Sequence, residues 1–141
     1  MLINSESEML AYGQKIGEQI LSAQNFPCVI ELLGDVGAGK TTFTRGLAKG
    51  LGVKAELSSP SFTISRLYAG DGCVLAHYDF YRLADPGLMM EDLDESIQDE
   101  RTVTVVEWGQ AIKDIWPARR YTIKISYLDE NSRELVQEGG E

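Results

Sequence analysis

The chain has 141 residues, with 22 Asp and Glu against 13 Lys and Arg, a net charge of −9, and 43% hydrophobic residues. That length predicts one domain over 1–141, and the share of apolar residues excludes a disordered chain. A chain this acidic is not expected to bind nucleic acid directly with high affinity, because such binding relies on Lys and Arg to neutralise phosphates.

The two cysteines, Cys28 and Cys73, each open an apolar run. They read as small buried hydrophobes rather than as a disulfide framework or metal site. Residues 1–6 lack a basic, apolar leader, and no apolar run approaches 18 residues, so a cytoplasmic protein with no membrane contact is expected.

In chain order, Ser5 followed by Glu8 fits a capping box. Met9, Tyr12, Ile16 and Ile20 then share one helical face. After Pro27, residues 28–33 read as a buried strand, followed by a glycine-rich loop and a helix from about Lys40 to Leu51 that stops at Gly52. Strands at 62–69 and 73–79 are joined by Gly70-Asp71-Gly72, a turn that glycine favours. A helix is expected from Asp85-Pro86, with Leu88, Met89, Leu93 and Ile97 on its apolar side. From Asp85 to Glu100 the chain has seven carboxylates and no Lys or Arg. They form either a solvated helix face or a surface for a basic partner. Residues 102–106 form a buried strand ending at Glu107, and Trp108 to Trp116 a short helix closed by Pro117. Tyr121, Ile123, Ile125 and Tyr127 alternate with polar residues as a half-exposed strand, which 133–138 can join as a hairpin arm. Strands alternating with helices, with hairpins added, predict an α/β fold with a mixed sheet.

The chemistry concentrates at Gly34-Asp35-Val36-Gly37-Ala38-Gly39-Lys40-Thr41, which satisfies the P-loop pattern between a strand and a helix. Gly34, Gly37 and Gly39 let successive N–H groups point inward as an anion nest, and the helix adds its positive dipole end. Lys40 is expected to reach the β- and γ-phosphates of ATP, the Thr41 hydroxyl to ligate Mg²⁺, and Thr42 to contact the α-phosphate. A nucleotide site also needs carboxylates at strand ends, where the crevice of an α/β sheet lies. Asp79 and Glu107 both qualify, one for Mg²⁺ and one for the attacking water, and spacing alone does not divide these roles. Ser59-Pro60-Ser61-Phe62-Thr63 supplies hydroxyls where P-loop proteins sense the γ-phosphate. His77 reads as a packed or hydrogen-bonded side chain, Arg82 as an ion-pair partner of the acidic segment, and Tyr78, Tyr81 and Trp116 as packing residues.

With these motifs together, the chain resembles the TsaE (YjeE) family, small bacterial ATPases needed to make the threonylcarbamoyl modification on adenosine in tRNA. The resemblance runs from the first helix to about Tyr127. It rests on the P-loop at 34–42, S-P-S-F-T at 59–63, H-Y-D-F-Y-R-L at 77–83 and V-V-E-W-G at 105–109. It implies a P-loop NTPase-like three-layer fold, with parallel core strands and antiparallel hairpin additions. It further implies that Thr41 and Glu107 hold Mg²⁺ and that Asp79 is a catalytic or switch carboxylate near the γ-phosphate. Gly37, Ala38, Gly39, Lys40, Thr41 and Thr42 would cradle the phosphates. Trp108 would lie close to the nucleotide, Ser61 and Thr63 in a switch-like loop, and Arg133 beside the base or ribose. TsaD and TsaB are the implied partners. In the family, Thr often stands at Ser61, which keeps the hydroxyl, and an acidic or amide residue often precedes Tyr68, where this chain has Leu67.

Other readings share the loop. A GTPase would need N-K-x-D and a glycine after Asp79, where Phe80 stands. A small-molecule kinase would need a cationic lid, and residues 83–100 contain only acid among their charges. In a third reading ATP acts as an assembly switch and hydrolysis is not the driver. The expectation is a slow ATPase that partners accelerate, because no arginine stands out as a finger.

Overall fold

The computed structural model describes residues 1–35, 37–57, 65–79, 90–107 and 120–139. Helix α1 (Glu6–Ala23) starts at the predicted cap: Ser5 Oγ accepts from the Glu8 N–H, while Glu8 Oε2 accepts from the backbone N–H of Asn4, one residue before the cap, rather than from that of Ser5. Met9, Ile16 and Ile20 are buried, and Tyr12 is half-buried. Strand β2 (Cys28–Leu33) leads into the P-loop and helix α2 (Lys40–Gly50), where Leu51 and Gly52 end the helix one residue earlier than its composition suggests.

Strands β3 (Ser65–Ala69) and β4 (Val74–Asp79) form the expected hairpin, its turn closed by the Gly70 N–H donating to the Cys73 carbonyl. Helix α3 (Met90–Gln98) buries Leu93 and Ile97 and exposes Glu91, Asp92, Asp94 and Glu95, so these four carboxylates lie on the outer face of the helix, as either a solvated face or a docking surface requires. Strand β5 (Thr102–Glu107) is buried throughout, as its unbroken apolar and Thr run requires of a central parallel strand. Strands β6 (Tyr121–Asp129) and β7 (Ser132–Gly139) make the final hairpin. A two-residue strand β1 (Leu2–Ile3), too short to leave a periodic signature, pairs with β7. The helix starts expected at Asp85 and Trp108, together with Arg82, Tyr81 and Trp116, lie outside the described residues.

All seven strands join one sheet in the order β1-β7-β6-β2-β5-β4-β3. The middle four, β6, β2, β5 and β4, run parallel, and the antiparallel pairs flank them. The expected mixed sheet with a parallel core is therefore present. Ile30, Leu32, Val103, Val105, Leu75, Ile123 and Ile125 turn one face toward α1 and α2. On the other face Tyr78 hydrogen-bonds Ser96 of α3 at 2.9 Å, so helices lie on both sides. Among the described residues no helix is long and apolar enough to cross a membrane. Cys28 and Cys73 are not joined in a disulfide, and both are buried as expected.

Helices α1 and α2 approach closely because each carries two glycines four residues apart, Gly13 and Gly17 on one, Gly46 and Gly50 on the other. A side chain on Gly17 would meet the Leu47 carbonyl at 2.5 Å, and one on Gly46 would collide with the carbonyl of Leu10. Such spacing is neutral in sequence, since isolated glycines merely weaken a helix. Here it lets two backbones touch and anchors the helix that follows the P-loop.

Candidate nucleotide site

Parallel pairing brings the carboxyl ends of β2, β4 and β5 to one edge of the sheet. Glu107 stands in register with Leu32 on one side and with Asp79 on the other. The crevice rule for α/β sheets places a ligand at this edge. The loop leaving β2 turns there through Gly37 (φ 84°) and Gly39 (φ 109°), left-handed conformations that a side chain would strain. Gly39 caps α2 with no side-chain hydrogen bond, so the N–H groups of the first turn are left to a ligand. Ala38 is buried, Thr41 and Thr42 are half-buried, and Val36 lies outside the described residues.

Lys40 opens α2 and is almost wholly buried. Its Nζ lies 3.8 Å from Glu107 Oε1, and each side chain is 6% exposed. Burial pushes the Lys40 ammonium below the usual lysine range, while the carboxylates of Glu107, Asp79 and Asp35 push it back up. Lys40 thus faces three carboxylates in a partly dry setting. A divalent cation arriving with a polyphosphate would offset the negative charge these carboxylates add. The donor set suits a hard cation: the Thr41 hydroxyl and the Asp79 and Glu107 carboxylates are all oxygens. Among the described residues no three His, Cys, Asp or Glu side chains form a self-contained metal cage.

Sequence reasoning treated His77 as a packed or hydrogen-bonded residue, and that is what it is. It is 1% exposed, with Nε2 2.5 Å from Glu107 Oε2. Its specific partner was not foreseen. The two-residue step from His77 to Asp79 puts both on one strand face, but pairing with Glu107 depends on the β4–β5 register.

Beside the loop a cavity of about 440 Å³ is lined by Ile3, Ser5, Met9, Gly39, Thr42 and Arg133, among others. Arg133 reaches it from the β6–β7 turn. Its Nη2 donates to the Gly37 carbonyl at 3.3 Å, its Nη1 to the Asp129 and Ser132 carbonyls, and its guanidinium lies 4.5 Å over the Tyr127 ring. The N-terminal wall of this cavity carried no recognisable motif beyond the helix cap. A second cavity of about 490 Å³ on the other side of the loop adds Lys124 to Gly34, Asp35 and Lys40. That lysine belongs to the alternation of β6 and had no separate signal. The structure thus brings Gly37 to Thr42, Asp79, Glu107 and Arg133 to one edge, whereas Ser61, Thr63 and Trp108 lie outside the described residues.

Residues 3–135 match the family described as threonylcarbamoyl adenosine biosynthesis protein TsaE. A protein of Streptomyces coelicolor named tRNA threonylcarbamoyladenosine biosynthesis protein TsaE is 42% identical over 99 residues, covering 69% of this chain and 67% of that protein. Its namesake in Haemophilus influenzae is 35% identical over 133 residues, covering 91% and 82%. The crystal structure of Bacillus subtilis YdiB superposes with a TM-score of 0.78 at 29% identity, over 100% of this chain and 84% of that one.

Proposed function

This chain belongs to the TsaE family, and from that premise we propose that it is a cytoplasmic Mg²⁺-dependent ATPase acting in threonylcarbamoyladenosine modification of tRNA. We further propose that residues 1–141 form a single P-loop ATPase domain. The observation that carries the reading is the Lys40 ammonium, buried at the start of α2 beside a loop with left-handed Gly37 and Gly39 and facing Asp79 and Glu107. Backbone N–H groups of 37–42 hold the phosphates, and Lys40 bridges to the β- and γ-phosphates. Thr41 and Glu107 would hold Mg²⁺, which when bound neutralises charge on the phosphates. Asp79, beside Glu107, orients the water for in-line attack on the γ-phosphate. Arg133 and the Ile3–Met9 wall would border the base and ribose, the 440 Å³ cavity being of ordinary ligand size. Ser61, Thr63 and Trp108 are assigned to the γ-phosphate switch and the nucleotide margin by family resemblance.

Without an arginine finger, P-loop hydrolysis runs roughly 10³–10⁵-fold below its assisted rate. The isolated chain is therefore expected to turn over slowly, and TsaD and TsaB to accelerate it. Phosphate release from ATP, measured with and without TsaD, TsaB and tRNA, tests this. Partner-stimulated release supports the reading, while full tRNA modification with a non-hydrolysable ATP analogue would show that hydrolysis is not the driver.

A further inference from the structure

Strand β4 places Leu75, His77 and Asp79 on the face toward α1 and α2. Leu75 packs in the apolar core, and Asp79 stands at the strand's end. His77 lies between them, 1% exposed, and spends one ring nitrogen on Glu107 Oε2 at 2.5 Å. Its other nitrogen, Nδ1, is buried without a hydrogen-bond partner among the described residues. Leaving a polar atom unsatisfied in the interior is unfavourable, and a leucine there would avoid it. An imidazole at this position needs a reason outside packing.

The geometry around Glu107 supplies one. Its Oε2 is taken by His77, while its Oε1 turns to Lys40 at 3.8 Å, beyond direct hydrogen-bond length. Without the imidazole, the buried carboxylate would gain most by rotating toward the ammonium. It would then leave the strand end where an oxygen ligand is needed.

We propose that His77 is a positioning residue that holds the Glu107 carboxylate in its cation-ligating orientation, with Nε2–H donating to Oε2. The inference rests on the nucleotide reading above and extends it to a residue that touches neither phosphate nor cation. Oriented ligands of this kind are the usual product of an outer shell of hydrogen bonds.

Mn²⁺ affinity of the full chain's ADP complex, read by its paramagnetic resonance signal, tests the inference in His77→Leu and His77→Gln. Gln keeps an N–H donor at about the reach of Nε2. His77→Leu is expected to weaken Mn²⁺ binding about 10–100-fold, the usual effect of losing such a partner, with ADP affinity in EDTA unchanged. His77→Gln is expected to stay close to the parent. Undiminished Mn²⁺ affinity in a folded His77→Leu overturns the proposal.

Should the leucine variant not fold, the parent chain carries the test, because His77 is its sole histidine and its two ¹⁵N imidazole resonances need only be told apart by their couplings to the ring C–H protons. Adding Mg²⁺ to the ADP complex is expected to shift the Nε2 resonance, and an unmoved resonance overturns the proposal. Failure of the parent chain to bind ADP at all would instead sink the nucleotide reading, so the two failures are distinguishable.

Discussion

On one face of the sheet α1 and α2 meet backbone to backbone through Gly13, Gly17, Gly46 and Gly50. On the other, among the described residues, α3 buries Leu93 and Ile97 and its Ser96 shares a hydrogen bond with the Tyr78 hydroxyl. The first contact leaves no slack, since any added atom strikes backbone. The second rests on side chains and tolerates adjustment. The helix that cannot shift is the one whose first turn carries Lys40, Thr41 and Thr42. Positional accuracy is thus built in at the loop for which phosphate binding is proposed, and the acidic helix is spared that constraint.

The sharpest way to break this contrast is Gly46→Val. Its branched side chain has only the Leu10 carbonyl and neighbouring backbone to move against, and the expected loss is about 3 kcal/mol or more. Urea denaturation would measure it; a loss below about 1 kcal/mol, the lower end for overpacking, would mean the helices can separate freely. Lys40→Ala comes next. Loss of a charge-assisted contact to phosphate is expected to weaken nucleotide binding about 100-fold, and calorimetric titration showing parental affinity would contradict the site.

The α3 side should give smaller effects. Ser96→Ala removes one hydrogen bond of the Tyr78 hydroxyl and is expected to cost about 1 kcal/mol. Tyr78 also sets an alkaline limit. Burial pushes its phenol above 10.0, the Ser96 hydrogen bond pulls it back, and Asp92 and Glu95 add to the rise. With the folded value raised, its contribution is complete below pH 10.0 and is lost as pH climbs through the raised value. Tyr78→Phe should therefore flatten the fall in stability above pH 10 in parallel urea titrations; an equally steep fall would remove Tyr78 from the explanation. Smallest of all, Glu95→Lys on the exposed face of α3 is expected to stay within about 0.5 kcal/mol of the parent. A larger change in thermal unfolding would mean that the carboxylates there are structurally engaged.

Local signals in the chain were enough for several elements. Ser5 with Glu8 announces α1, the apolar run after Pro27 announces β2, and Gly70 to Gly72 announces the hairpin. In each case the cause lies within a few residues. The P-loop was legible for the same reason, since Gly34 to Thr41 is contiguous. Strand order was not legible, and everything that depends on it was hidden. Asp79 and Glu107 could each be proposed as a strand-end acid, but their standing side by side follows from the β4–β5 register. The His77–Glu107 bond, the glycine contact between α1 and α2, and the pairing of β1 with β7 all join segments distant in sequence. Arg133 was placed by resemblance alone. The tight β6–β7 turn, where Asp129 pairs with Ser132, brings it back to Gly37.

The cavity next to Gly39 is walled by Ile3 to Glu6 on one side and by Glu130 to Arg133 on the other, nearly the whole length of the sequence apart. On a ribosome the first of these walls is synthesised well before the second. The loop and α2 can fold earlier, but the chamber beside them cannot exist until residue 133 has emerged. Nucleotide capture on a nascent chain would therefore report closure of this chamber rather than formation of the loop.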